Sequence, residues 1–186
     1  RGKVSATSNG YRGVFGGGDP AEDVIDYITI AALGNATDFG NLIAGKEGKA
    51  ACSDGNRGLF GGGYPQVKTL DFITISTPIT TASDFGDLTL ERRYLGACSD
   101  GSRGVWGGGH SPTAADNTLD YVNIATVSEG IDFGDRTGAQ YGPSATSDGS
   151  RGLWAGGAPS TATIDYITIK TASNAVDFGD LTQDRY

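Results

Sequence analysis

The sequence contains no methionine and only one histidine, His110, among its 186 residues. Because translation starts at methionine, this absence predicts a processed form or a segment excised from a longer polypeptide. A single histidine excludes sites that require several imidazole groups. Neither G-x-S-x-G nor H-E-x-x-H occurs, and no Ser/His/Asp set stands out. We therefore predict a protein that is not an enzyme and that has no metal site and no cofactor.

Clusters of basic residues are also missing. The 14 lysines and arginines are scattered among 22 acidic residues, and the formal net charge is −8. A basic stripe is needed to bind a phosphate backbone, so nucleic acid is not an expected partner. The same charge argues against binding to an anionic membrane surface, and the apolar runs are far too short to span a bilayer. The composition thus predicts neither nucleic-acid binding nor membrane insertion.

Glycine is abundant, with 31 residues, and much of it lies in a segment that occurs four times. The copies are residues 6–18, 51–63, 97–109 and 145–157, and the third reads A-C-S-D-G-S-R-G-V-W-G-G-G. Asn-Gly and Asp-Gly pairs supply the positive φ that a hairpin turn needs. Each copy therefore predicts a strand, a tight turn, a second strand and a terminus of glycines.

An arginine at the same place in each copy sets the spacing of the repeat. The steps between these arginines are 45, 46 and 48 residues, which is typical of β-propeller blades. Helical repeats of this length would not tolerate so much glycine and so many β-branched residues. The pattern indicates an array of β-units.

Two further strands are predicted in each unit. The third strand, I-D-Y-I-T-I at residues 25–30 in the first copy, is apolar on both faces because side chains alternate along a strand. We expect it to lie between two packed layers, as in stacked propeller blades. The unit closes with D-F-G-[DN], predicted as a short outer strand. Its inward-packing anchors are Phe39, Phe85, Phe133 and Phe178.

These units resemble kelch repeats. They share a strand that ends in a glycine pair, as at Gly61 and Gly62, and an aromatic residue in the next strand, as at Phe72. An aromatic anchor and a leucine follow in the outer strand, as at Phe85 and Leu88, although kelch repeats usually have tryptophan at the anchor. The sequence patterns of the units are also similar to repeats in tail-fibre and other structural proteins of marine bacteriophages, including those that infect cyanobacteria. These patterns are S-D-G-S-R-G-[LV]-W-G-G-G, [IL]-D-Y-[IV]-T-I and D-F-G-D-L-T. The resemblance covers essentially the whole chain.

The resemblance implies an all-β, kelch-like β-propeller with four repeats of about 46 residues and four antiparallel strands per blade. The chain is predicted to be a single repeat domain with blades at about residues 1–43, 44–90, 91–137 and 138–186. Four whole units favour a closed four-blade ring. Part of a larger ring, or association of units between chains, remain the alternatives.

Cys52 and Cys98 occupy the same position in successive copies, where the other two copies carry threonine. A disulfide needs Cα atoms within roughly 7 Å, whereas matching positions of neighbouring repeats usually lie further apart. We predict two buried free thiols.

Aspartate recurs in the Ser-Asp-Gly turns at Asp54, Asp100 and Asp148 and again in each D-F-G motif. A ring of carboxylates could hold Ca²⁺, which takes six to eight oxygen ligands. The alternative is that each carboxylate accepts hydrogen bonds from the backbone of its own turn. We favour the second interpretation, because no spacing matches a calcium-binding loop.

The repeated arginines are candidates for a latch between adjacent blades, since guanidinium pairs bidentately with carboxylate. The competing interpretation is a ring of arginines that faces an acidic ligand. The four residues are Arg12, Arg57, Arg103 and Arg151.

The variable segments that follow the glycines are predicted to be loops on one face of the array, the usual place for a binding surface. Aromatic and acidic side chains there suit a glycan, which is bound by stacking and hydrogen bonding. Solvated loops without a ligand are the alternative. The candidate residues are Asp19, Glu22, Tyr64, His110 and Asp116.

Together these observations predict a non-enzymatic structural and adhesive module, located outside the cell or on a virion surface. Its expected partners are further copies in a fibre or oligomer and a surface glycan or host receptor, bound through multivalent contact. An intracellular kelch-type scaffold for protein interactions is the first alternative, and a glycan-active enzyme is the second.

Overall fold

The computed structural model describes residues 1–185, which form strands and turns. In this part of the chain there is no helix that could cross a membrane. Unit 1 consists of β1 (Ser5–Ser8), β2 (Arg12–Gly16), β3 (Val24–Thr29) and β4 (Thr37–Asn41). Unit 2 consists of β5 (Ala50–Ser53), β6 (Arg57–Gly61), β7 (Val67–Thr74) and β8 (Ser83–Arg92). Unit 3 consists of β9 (Gly96–Ser99), β10 (Arg103–Gly107), β11 (Thr118–Asn123) and β12 (Ile131–Asp135). Unit 4 consists of β13 (Ser144–Ser147), β14 (Arg151–Ala155), β15 (Thr161–Thr168) and β16 (Val176–Arg185).

Each unit is one antiparallel sheet whose four strands pair in chain order. The predicted all-β fold with four antiparallel strands in each unit is therefore confirmed. The first strands, β1, β5, β9 and β13, are the inner strands, and each lies beside the inner strand of the next unit. The outer strands of units 2 and 4 are longer than predicted, since β8 and β16 have ten residues each.

The repeated Ser-Asp-Gly segments form the hairpins between the first two strands of each unit. In unit 3, Asp100 Oδ1 accepts hydrogen bonds from the backbone N–H groups of Ser102 and Arg103 at 2.8 and 2.7 Å. Gly101 has a φ of 82°, which a residue with a side chain rarely adopts. The carboxylate and the glycine together fix the turn, as the second interpretation of these aspartates predicts.

Consecutive sheets stack face to face. We call the side of a sheet that is turned to the following unit its outgoing face, and the other side its incoming face. In unit 2, Leu59, Leu70 and Phe85 lie on the outgoing face. They form one buried cluster with Trp106 and Val122 of the incoming face of unit 3. Equivalent clusters fill the other two junctions. The expectation that the third strand lies between two layers is therefore confirmed for β7 and β11, whereas β3 and β15 are covered on one face only.

Glycine in the second strand lets an aromatic ring of the next unit approach the backbone. A Cβ at Gly61 would lie 2.6 Å from Trp106 Nε1, and one at Gly107 would lie 2.8 Å from Trp154 Nε1. The Trp106 indole N–H donates to the carbonyl of Ala50 at 3.1 Å. The motif R-G-x-[FW]-G is therefore set by the close spacing of the sheets.

Each junction also contains a buried ion pair that the sequence analysis did not single out. Three aspartates occupy equivalent places in the third strands and are fully buried. Each pairs with a cation from the preceding unit, and the pairs are Asp71 with Lys46, Asp120 with Arg92 and Asp165 with Arg136. Lys46 and Arg92 each stand eight residues after the aspartate of the D-F-G motif, whereas Arg136 stands four residues after it.

Cys52 and Cys98 are buried free thiols, as predicted. Burial raises the pKa of both thiols, and that of Cys98 reaches about 12. A Cβ at Gly104 would lie 2.6 Å from Cys52 Sγ, and one at Gly152 would lie 2.5 Å from Cys98 Sγ. Both sulfurs thus pack as small apolar groups against glycines of the next unit.

Units 1 and 4 each keep one sheet face uncovered. Across residues 1–185, no hydrogen bond, ion pair or buried apolar cluster joins unit 4 to unit 1. Phe39, Phe85 and Phe133 are at most 2% exposed, whereas Phe178 is 51% exposed. The prediction of an inward-packing anchor is therefore wrong for Phe178. The expected closed ring of four blades is not formed by these contacts, because three junctions cover only three outgoing faces.

Candidate functional site

The inner strands have two ends that differ in character. At the hairpin end, each serine hydroxyl donates to the serine carbonyl of the preceding unit. The three bonds, Ser53 to Ser8, Ser99 to Ser53 and Ser147 to Ser99, are each 2.6 Å long. Because the same serine serves in every unit, this end is a regular ladder.

We call the opposite end of the inner strands the mouth, formed by Lys3, Gly48, Tyr94 and Gly142. These equivalent residues have φ values of 52°, 63°, 57° and 72°. They are joined by backbone hydrogen bonds: Gly48 N–H donates to Lys3 at 3.4 Å, Tyr94 to Gly48 at 2.6 Å and Gly142 to Tyr94 at 2.6 Å. A positive φ is uncommon for lysine and tyrosine, and such backbone strain often accompanies function.

The variable loops are anchored to the mouth by a second set of backbone contacts. The residue before each mouth residue pairs with the first residue of the loop in the same unit. Arg93 and His110, for example, exchange two N–H to carbonyl bonds of 3.1 and 2.8 Å. The four pairs are Gly2 with Asp19, Glu47 with Tyr64, Arg93 with His110 and Tyr141 with Ala158. This arrangement brings the loops of all four units to the mouth.

A cavity of about 360 Å³ opens at the mouth and is lined by Lys3, Tyr94, Tyr141 and Gly142. The rings of Tyr94 and Tyr141 have centroids 6.2 Å apart and are tilted by 38°. His110 meets the Tyr141 ring edge-to-face at 5.2 Å. Two of the four lining residues are therefore aromatic; both tyrosines are half-buried, whereas Lys3 and Gly142 are exposed to solvent.

Charged groups surround the aromatic wall. Lys3 Nζ donates to Glu47 Oε1 at 2.9 Å, and the Tyr94 hydroxyl donates to the same oxygen at 3.1 Å. The hydrogen bonds of Lys3 with Glu47 and Tyr94 raise the pKa of the lysine above its usual value. The Arg93 guanidinium lies over both the Tyr64 and the Tyr94 rings, at 4.8 and 5.0 Å from their centroids. The contacts of Arg93 and Glu47 hold the Tyr94 ring at the cavity, and Arg93 also holds the Tyr64 ring beside it.

Three of the five predicted loop residues lie at the mouth. Tyr64 stacks with Arg93, His110 contacts Tyr141, and Asp19 Oδ2 lies 3.4 Å from Lys3 Nζ. These three begin their loops at equivalent positions, which is why the fold brings them together.

None of the five predicted loop residues lines the cavity itself, and the other two make contacts of a different kind. Asp116 Oδ1 accepts the backbone N–H of Thr118 at 2.8 Å and lies 3.6 Å from Arg92 Nη1, so it stabilises its own loop. Glu22 lies further along its loop, where its carbonyl accepts the backbone N–H of Lys46. The expectation that these two residues share a site with Tyr64 and His110 is not met.

The repeated arginines join neighbouring units, but their acceptors differ from the expected carboxylates. Arg57 Nη1 donates to the backbone carbonyls of Ile124 and Ala125 at 3.1 and 3.0 Å, and its guanidinium lies over the Phe72 ring. Arg12 and Arg103 reach the equivalent carbonyls of their following units. Within residues 1–185, the Arg151 guanidinium stays within its own unit, where it lies over the Tyr166 ring. The contacts thus match a latch rather than a ring of arginines around a ligand.

The aspartates of the D-F-G motifs also bond locally, within the fourth strand of each unit and at an irregularity of its pairing with the third. Each Oδ1 accepts the backbone N–H of the glycine two residues later, as Asp84 does from Gly86 at 3.1 Å. In the described part of the chain, no group of three or more histidine, cysteine, aspartate or glutamate side chains is arranged to hold a metal ion.

Tyr94, Tyr141 and Arg93 were missed by the sequence analysis. They lie just before the inner strands, in short connections that carry no motif. The signal available was variation: while the flanking strands repeat, these two positions read Gly-Lys, Glu-Gly, Arg-Tyr and Tyr-Gly in the four units. Departures from an otherwise regular repeat mark positions that the scaffold does not determine.

Comparison with known proteins gives no family for this chain. No protein-family model matches it, and no curated protein matches it in sequence.

Proposed function

We propose that this protein is a non-enzymatic structural and adhesive repeat module, displayed outside the cell or on a virion surface, that binds a glycan at the mouth. The observation that carries the proposal is the open cavity of about 360 Å³ between Tyr94 and Tyr141. Its volume is within the range of about 300–1,000 Å³ that is usual for ligand pockets. The resemblance of the repeats to kelch repeats and to phage-fibre repeats supports a location outside the cell or on a virion surface.

A sugar ring suits this cavity because it has apolar C–H faces and polar hydroxyl edges. The tyrosine rings offer aromatic faces for the C–H groups. The exposed Lys3 ammonium supplies a donor at the rim, and the Tyr94 hydroxyl, held by Glu47, adds a second polar group. A neutral pyranose is favoured over an acidic one, since the lysine charge is matched by that of the glutamate.

Catalysis on the glycan is not part of the proposal. Glycoside hydrolysis normally requires two carboxyl groups that flank the scissile bond, roughly 5–10 Å apart. Among the described residues, the four that line the cavity are a lysine, two tyrosines and a glycine. The nearby Glu47 is largely buried and holds Lys3 and Tyr94.

The proposal is tested by screening the protein on a glycan array and measuring the affinity of the best ligand by calorimetry. Tyr141→Ala should weaken binding about tenfold or more, because it removes one of two stacking surfaces. Tyr11→Ala is the matched control: Tyr11 is 62% exposed and lies on a hairpin at the opposite end of the inner strands. It should leave the affinity unchanged.

Three results would contradict the proposal. The first is an array without a ligand, and the second is equal loss of affinity in both tyrosine variants. The third is release of cleaved sugar from a bound oligosaccharide, which would indicate a glycan-active enzyme. A specific protein partner recovered by pull-down, in place of a glycan, would favour the scaffold alternative.

A further inference from the structure

The three junctions between units are built from the same four contacts. An aromatic ring of the following unit packs on a glycine, a small side chain packs on a second glycine, a serine hydroxyl donates to a serine carbonyl, and an arginine donates to carbonyls. At the first junction these contacts join Phe60 to Gly16, Thr7 to Gly58, Ser53 to Ser8 and Arg12 to Ile75. The molecule therefore shows three times how an incoming face fits an outgoing face.

The outgoing face of unit 4 carries the same groups without a cover. Phe178 is 51% exposed and Arg151 is exposed, although their equivalents in units 1–3 are buried or half-buried. Leu153 and Ile164, which correspond to the fully buried Leu59 and Leu70 of unit 2, are only half-buried. This face is an apolar surface with an arginine at its edge.

The incoming face of unit 1 is the complementary surface. Ile30 is 52% exposed, whereas the equivalent Ile75, Ile124 and Ile169 are fully buried. Phe15 is half-buried, while the aromatic residues at its position in units 2–4 are fully buried. The carbonyls of Ile30 and of residue 31 correspond to those that accept the arginine of the preceding unit at the internal junctions.

We infer that the outgoing face of unit 4 binds the incoming face of unit 1 of a second copy of this chain. The contacts are those of the internal junctions: Phe178 and Leu153 pack against Phe15 and Ile30, and Arg151 donates to the carbonyl of Ile30. Because the two faces differ, the interface is heterologous, and repeated association closes a ring or extends a filament.

Two residues tune this interface. Ala155 stands where units 1–3 have Gly16, Gly61 and Gly107, so its methyl group meets the aromatic ring of the incoming copy. A Cβ at Gly16 would lie 2.9 Å from the Phe60 ring, and the ring must shift to accept it. The intermolecular junction is therefore weaker than the internal ones.

Arg1 occupies the place at Asp26 that Arg92 occupies at Asp120. It donates to the carbonyls of Gly17 and Val24 and pairs with Asp26, as Arg92 does with Gly108, Thr118 and Asp120. The incoming copy thus supplies this arginine itself, and Arg185 of the outgoing copy is not needed at the interface.

The test is sedimentation velocity over a range of concentrations, with folding checked by thermal unfolding. The wild-type protein should associate reversibly. Phe178→Glu and Ile30→Glu should each remain monomeric, while an equimolar mixture of the two should form dimers and nothing larger, because each variant keeps one intact face. Val127→Glu, at an exposed apolar residue away from both faces, should associate as the wild type does.

Ala155→Gly is the second variant, and it should tighten association by roughly five- to tenfold, because it removes the overpacked methyl group. A wild type that stays monomeric at the highest concentrations would overturn the inference. So would variants that still associate singly, or a mixture that fails to form dimers.

This inference deepens the proposed structural role but does not depend on the glycan site. Phe178→Glu should bind glycan with the affinity of a wild-type monomer, and Tyr141→Ala should associate normally. If the wild-type protein associates but binds no glycan, the glycan proposal has failed. If it binds glycan but does not associate, the inference about the interface has failed.

Discussion

The hairpin end and the mouth are the two ends of the same four inner strands, yet their side chains follow opposite rules. At the hairpin end, the serine ladder uses one residue type in every unit. At the mouth, backbone hydrogen bonds join Lys3, Gly48, Tyr94 and Gly142 whichever side chain each position carries, and the side-chain contact there, Lys3 Nζ with the Tyr94 hydroxyl at 3.2 Å, does not recur from unit to unit. Where side chains hold the units together they cannot vary, and where the backbone does so they are free to serve recognition.

The largest expected effect concerns the buried ion pairs at the junctions between units. Asp120→Ala should lower the free energy of unfolding by about 3–5 kcal/mol, because the fully buried Arg92 guanidinium would lose its buried carboxylate and keep only the partly exposed Asp116, 3.6 Å away. The measurement is chemical denaturation followed by circular dichroism.

The matched control is Asp26→Ala, at the same position of the third strand in unit 1. Asp26 pairs with Arg1, and both side chains are about a quarter exposed, so the loss should be about 1 kcal/mol or less. Equal losses in the two variants would show that burial at the junction does not set the strength of the pair.

A second prediction concerns Lys49, which follows the mouth residue Gly48 but is buried. Burial lowers the pKa of Lys49 to about 8, from an ordinary value of 10.5. Between these values the unfolded chain binds more protons than the folded one, so stability should rise as the pH increases from about 8 to 10.5. The gain from this group is at most about 3 kcal/mol.

The measurement is the free energy of unfolding at several pH values in this window. Lys49→Met, which keeps the length of the side chain without its charge, should lack this contribution and give a flatter profile. Identical slopes for the variant and the wild type would contradict the prediction.

The smallest expected effect concerns the arginine latch. Arg57→Lys should cost about 1 kcal/mol, because an ammonium group cannot reproduce both carbonyl contacts and the stacking on Phe72. Arg151→Lys is the control within the chain, since the Arg151 guanidinium contacts the ring of its own unit rather than carbonyls of another, and the monomer should be unaffected. Thermal unfolding at low protein concentration compares the two, and unchanged stability in Arg57→Lys would refute the latch.

Much of the fold could be predicted from the sequence because its causes are local and repeated. The turn at Asp100 and Gly101 needs only its own residues, and the alternation of apolar residues along the third strand predicts that both of its faces can pack against a neighbouring sheet. The buried ion pairs were not predicted, because the cation is not a fixed feature of the repeat: Lys46 and Arg92 share one position after the D-F-G motif, but Arg136 reaches its aspartate from another.

The candidate site was predicted in part. Asp19, Tyr64 and His110 were identified because loops after a repeated motif are a usual place for binding, and they contact residues of the mouth, whereas Glu22 and Asp116 make other contacts. Position within the loop decides: only the first loop residue is tied by backbone pairing to the mouth.

The sequence by itself determined the unit of this protein, its four strands and the stacking of one unit on the next, since the glycines, turns and alternating apolar residues act over a few residues each. Only the tertiary structure decided which groups meet across units. Tyr94 and Tyr141 are 47 positions apart in the sequence, and they face one cavity because of how adjacent sheets are placed. The tertiary structure also decided that Phe178 is exposed while the phenylalanines of the other three D-F-G motifs are buried, because their burial depends on the sheet of the following unit.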